Sequence, residues 1–107
     1  MQDAVTEYTE TIRLEPSYIK AYTGLGNTLD NLGKPKEAIA QYKKALSLDP
    51  NSALTYYNLG VTLSRQDQRD EAVANLQKAR GLFQAQKNNE MVERIERFLQ
   101  KINSQIN

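Results

Sequence analysis

Residues 19–52 read IKAYTGLGNTLDNLGKPKEAIAQYKKALSLDPNS, and residues 53–86 read ALTYYNLGVTLSRQDQRDEAVANLQKARGLFQAQ. Laid over each other at an offset of 34, the stretches share 11 identities. Tyr22, Leu25, Gly26, Thr28, Leu29, Glu37, Ala38, Ala40, Lys44, Ala45 and Leu48 recur as Tyr56, Leu59, Gly60, Thr62, Leu63, Glu71, Ala72, Ala74, Lys78, Ala79 and Leu82. A fixed period of this length marks a repeat architecture, in which each copy buries its apolar face against a neighbour. The same offset carries Ala4 to Ala38, Tyr8 to Tyr42, Leu14 to Leu48 and Pro16 to Pro50, so the second half of a further copy precedes these two. An opening in mid-repeat predicts a piece of a longer protein.

Within each copy the apolar positions recur three and four apart, the spacing of one helix face. Tyr22, Leu25, Gly26 and Leu29 line a first helix, and Ala38, Ile39, Tyr42, Ala45 and Leu46 a second. Gly26 and Ala38 lack bulk, which lets two backbones approach while Leu25 and Tyr42 fill the space around them. Gly33 can take the positive φ that ends a helix, and Pro35 has its φ preset for the first helical position of the next. After Asp49-Pro50, Asn51 or Ser52 can cap a helix, and Glu15-Pro16-Ser17 is the equivalent break in the incomplete copy. Past Leu82 the second helix runs on to about Ala85, and Asn88 or Asn89 caps the last one. The expected helices span residues 2–14, 19–32, 35–48, 53–66, 69–85 and 89–104. In the last, Met91, Ile95, Phe98, Leu99, Ile102 and Ile106 form an apolar stripe opposite Glu90, Glu93, Arg94, Arg97 and Lys101.

The order Tyr-x-x-Leu-Gly-x-x-Leu, then Gly, then Ala-x-x-x-Tyr-x-x-Ala, then Pro resembles the tetratricopeptide repeat. Residues 19–52 fill every place of it with Tyr22, Leu25, Gly26, Leu29, Gly33, Ala38, Tyr42, Ala45 and Pro50. Residues 53–86 depart from it at Asp67, Leu76 and Gln84. The resemblance implies an all-α fold, antiparallel helix pairs stacked as a right-handed α-solenoid. It parses residues 1–107 as one domain: half a repeat over 1–18, full repeats over 19–52 and 53–86, and a capping helix over 87–107. It also implies a partner protein or peptide held on a concave wall lined by the first helices. The wall residues are then Lys20, Thr23, Gly24, Asn27, Asp30 and Asn31 in one repeat, and Leu54, Tyr57, Asn58, Val61, Ser64 and Arg65 in the next. Their amides can pair with a peptide backbone, and Lys20 and Arg65 can meet a carboxylate. Asn27 and Asn58 stand where family members that clamp a chaperone's C-terminal carboxylate carry asparagine, but Thr23 occupies the clamp's lysine position.

Composition narrows the function classes. The 107 residues hold no His and no Cys, which removes imidazole bases, thiol nucleophiles, disulfides and the usual transition-metal ligands. Neither a metal nor a cofactor is expected, and carboxylates such as Glu10, Glu15, Asp70 and Glu71 have no apolar pocket near them in sequence to tune them for acid–base work. The reading is a binding module and not an enzyme. A formal net charge of +1 gives no field to gather nucleic acid, and the lysines at 34, 36, 43 and 44 belong to an outward helix face. No apolar run is long enough to span or insert into a membrane, and the polar start is not that of a signal peptide, so the cytoplasm is the default location.

Two further readings stand beside the first. Ala4, Val5, Tyr8, Ile12 and Leu14 form a stripe that a preceding first helix would cover, and a second copy of the chain could cover it instead, giving a homodimer or a larger scaffold. Such arrays also occur as non-catalytic appendages of enzymes.

Overall fold

The computed structural model describes the backbone of residues 2–105 and the side chains of 3–104. Among the described residues there are six helices and no strand: α1 (Gln2–Leu14), α2 (Ile19–Asn31), α3 (Pro35–Leu48), α4 (Ala53–Arg65), α5 (Arg69–Ala85) and α6 (Asn89–Gln105). The all-α helix-pair architecture expected from the repeat is what forms. Two compact units divide the chain, Met1–Pro50 and Asn51–Asn107.

In the first unit α2 packs on both α1 and α3. Ala21, Tyr22, Leu25, Leu29, Ala38, Ile39, Tyr42 and Ala45 are buried, the faces that the three-and-four spacing selects. A Cβ at Gly26 would strike the ring of Tyr42, so the missing side chain lets α3 come close. The Tyr22 hydroxyl donates to the carbonyl of Pro16 at 2.6 Å and ties α2 to the loop before it. The start of α2 differs from expectation. Tyr18 is its N-cap and makes no side-chain cap bond, because Ser17 falls one place outside the position that Ser52 holds before α4.

In the second unit α5 packs on both α4 and α6. Leu59, Leu63, Ala72, Leu76, Ala79, Phe83, Val92, Ile95 and Ile102 are buried, and each large side chain among them contributes roughly 2 kcal/mol by leaving water. Val92 is buried although it stands outside the stripe that the spacing predicts, and Ile106, a member of that stripe, lies outside the described residues. The caps are local. Ser52 Oγ accepts from the Thr55 amide at 3.4 Å, and Asn88 Oδ1 from that of Met91 at 3.2 Å. Between helices, Arg80 reaches Glu96 at 2.8 Å and joins α5 to α6.

Three helices end in the same way. After α2, Gly33 has φ +77, and the amides of Gly33 and Lys34 donate to the carbonyls of Asp30 and Leu29. Asp67 (φ 59) and Gln68 repeat this on Ser64 and Leu63 after α4, and Lys87 (φ 60) and Asn88 on Gln84 and Phe83 after α5. These are Schellman closures, which satisfy the last carbonyls by turning one residue left-handed. They end α2 and α4 one residue short of the expected limits, at Asn31 and Arg65.

Candidate binding faces of the two units

On α2, Lys20, Thr23, Asn27, Asp30 and Asn31 stand three and four apart, which brings them to one side of the helix. Lys20, Asn27 and Asn31 are exposed, and Thr23 and Asp30 are half-buried. Thr23 turns its hydroxyl back to the Ile19 carbonyl at 3.5 Å. Asn27 is held more firmly: its amide oxygen accepts from the hydroxyl of Tyr42 at 2.5 Å, and Tyr42 is only 2% exposed. A polar side chain at the surface is thus oriented from the core. Gly24, on the same side, lies under the ring of Tyr8 from α1.

On α4 the corresponding residues are Leu54, Tyr57, Asn58, Val61, Ser64 and Arg65. Leu54 is 53% exposed, and Arg65 is exposed as well. Tyr57 and Val61 are half-buried against the apolar cluster that Leu76, Val92, Ile95 and Ile102 help to form. Part of the apolar surface assigned to a ligand is therefore already spent on packing. The Ser64 hydroxyl donates to the Val61 carbonyl at 2.7 Å.

The stripe on α1 is also partly occupied. Ala4, Val5, Tyr8 and Ile12 are half-buried, whereas Leu14 stands 65% exposed. Farther along α1, Arg13 hydrogen-bonds Glu10 and holds its carboxyl below the usual carboxylate range, away from the direction a general acid requires.

One feature escaped the sequence reading. Ser64, Arg65, Arg69, Phe98, Lys101 and Ile102 line a partly open hollow of about 310 Å³ within the second unit. Arg69 lies outside the wall positions of the repeat, and Lys101 belongs by its spacing to the polar side of α6. Its place beside Ile102 and three residues from Phe98, at the edge of the apolar stripe, was the only signal.

Among the described residues no helix is long and apolar enough to cross a membrane. Three tetratricopeptide family models match the sequence: one described as TPR repeat over residues 31–67, and two described as tetratricopeptide repeat over 7–40 and 53–85. No curated protein matches the sequence significantly. Among solved structures, MamA superimposes with a TM-score of 0.77 at 30% identity, over 81% of this chain and 51% of its own. The chain thus spans about half the length of MamA. The TPR2B domain of yeast Sti1, in complex with pHsp70, gives 0.87 at 27% identity over 94% of this chain and 81% of that one. The Yersinia enterocolitica type III secretion translocator chaperone SycD gives 0.92 at 20% identity over 97% and 72%, a likeness of fold.

Proposed function

Because the chain belongs to the tetratricopeptide repeat family, we propose that it is an interaction module that holds partner protein segments on the α2 face of its first unit and on the α4 face of its second, with no chemistry of its own. The observation that carries this reading is Asn27: exposed, yet with its amide oxygen fixed by a buried tyrosine. A side chain ordered before the ligand arrives loses less entropy on binding, which is the advantage of a preorganised contact. Lys20 and Arg65 add charge at the two faces, and Leu54 adds an apolar contact, a mixture suited to a peptide backbone with varied side chains. The Sti1 domain and its complex support the assignment.

The test is replacement of Asn27, Asn58 and Arg65 together by alanine. Retention of a partner from native extract should fall roughly tenfold, the effect of removing a few central contacts, at unchanged helicity. Alanine at Lys36 and Lys43 should leave retention near that of the parent chain. Loss on the lysine variant with the triple variant intact would place the contact on the second helix of the repeat and end this reading.

A further inference from the structure

Lys20, Gly24, Asn27 and Asn31 stand four, three and four apart in α2 and make one ridge along its exposed side. Gly24 leaves a gap in this ridge, and the end of the Tyr8 ring, from α1, fills it: a Cβ at Gly24 would lie 2.7 Å from the Tyr8 hydroxyl oxygen. The side chain presented at this wall position therefore belongs to α1. Tyr8 is half-buried, and among the described residues it makes no hydrogen bond. No buried polar side-chain atom among them lacks a partner, so the Tyr8 hydroxyl stands at the solvent edge. It is a donor held in place by its ring, with no acceptor among the described residues. Tyr42, which holds the same place 34 residues on, spends its hydroxyl on Asn27. The two helices that flank α2 thus each send a tyrosine to the ridge, one orienting Asn27 and the other ending at Gly24, one turn before it.

Positions three apart on a helix are roughly 5 to 6 Å from each other, close to the roughly 7 Å at which an extended chain presents successive carbonyls on one side. An apolar face of a second copy laid over Tyr8 would instead bury this hydroxyl without an acceptor. We propose that Tyr8 is a binding residue of the α2 face, its hydroxyl donating to a main-chain carbonyl of an extended partner segment whose main chain meets Asn27 one turn on. The proposal rests on the interaction-module reading and deepens it. The face is built from α1 as well as α2, and the Tyr8 contact fixes where the segment's main chain lies while being indifferent to its side chains.

The probes are peptides selected against the full chain from a random library displayed on phage, then synthesised with a fluorophore and titrated by anisotropy. Those weakened by Lys20→Ala with Asn31→Ala occupy the α2 face. For these, Tyr8→Phe should raise Kd about fivefold, the loss of one hydrogen bond, at an unchanged thermal midpoint. One amide-to-ester change in the peptide should weaken the complex with the parent chain and leave that with Tyr8→Phe unaffected, which marks the accepting carbonyl. The proposal is overturned, with the interaction-module reading left standing, if peptides on the α2 face bind the Tyr8→Phe chain as tightly as the parent. It is also overturned if Tyr8→Phe lowers the midpoint by several degrees, since the hydroxyl then serves the fold. If no selected peptide responds to the Lys20 and Asn31 variant, the α2 half of the interaction-module reading fails and takes this proposal with it.

Discussion

Gly26 and Gly60 hold the same place in successive repeats, and at each a side chain of the partner helix fills the room a Cβ would need. At Gly60 an added Cβ would lie 2.7 Å from Leu76 Cγ and 3.2 Å from the Ala72 carbonyl oxygen, a backbone atom that cannot swing aside. Gly81, inside α5 toward its C-terminal end, has nothing within 4 Å of the same position. Gly60→Ala should therefore cost about 1 kcal/mol net, overpacking exceeding the gain in helix propensity, whereas Gly81→Ala should gain roughly 0.5 to 1 kcal/mol. Urea unfolding midpoints measure both, and a Gly60 variant as stable as the parent would refute the close approach. Small residues at these places were legible in the sequence because the repeat brings them back at the same offset. The tie between Tyr42 and Asn27 was not, since a hydrogen bond between residues of two helices leaves no periodic trace.

The helices themselves were legible nearly residue for residue, because apolar spacing marks them, with Pro35 and the caps Ser52 and Asn88 adding to it where they occur. The closures were legible only in part. Gly33 announces its positive φ, but Asp67 and Lys87 adopt the same conformation with side chains that give no such notice. The closing hydrogen bonds of the turn hold it, at a cost of order 1 kcal/mol for a residue with a Cβ. Lys87→Gly should raise stability by about 0.5 to 1 kcal/mol, the relief being offset in part by the greater freedom of glycine in the unfolded chain. Thermal unfolding should register this as a rise of a few degrees, and a fall would show that the Lys87 side chain makes a contact worth more than the strain. The resemblance names Tyr57 and Val61 as wall residues of α4, and it gives no sign that α6 helps to build the cluster that half-covers them.

At the scale of the whole molecule, what the sequence could not reveal is what several helices build together. The 310 Å³ hollow joins side chains of three helices, and of these the repeat names only Ser64 and Arg65, so the set as a whole does not come into view from the sequence. The repeat conceals another difference. Asn27 and Tyr42 form a polar pair in the first full copy, and the same two places in the second hold Val61 and Leu76, which belong to an apolar cluster. Two stretches with 11 identities can mispair during folding, α2 taking α5 in place of α3. That exchange would set the Asn27 amide against Leu76, and its counterpart would set the Tyr42 hydroxyl against Val61. The stranded Tyr42 hydroxyl, buried with its ring, would cost about 1 to 3 kcal/mol, enough to disfavour the wrong partner, whereas the exposed Asn27 amide can turn to water. The pair is thus an address label as well as a contact, telling the nascent chain which of two nearly identical helices to join. Asn27→Val with Tyr42→Leu erases the label by making the copies alike. Stopped-flow refolding of that variant should gain a slow phase from mispaired chains that the parent lacks, and identical single-phase kinetics in both would show that the label is not read.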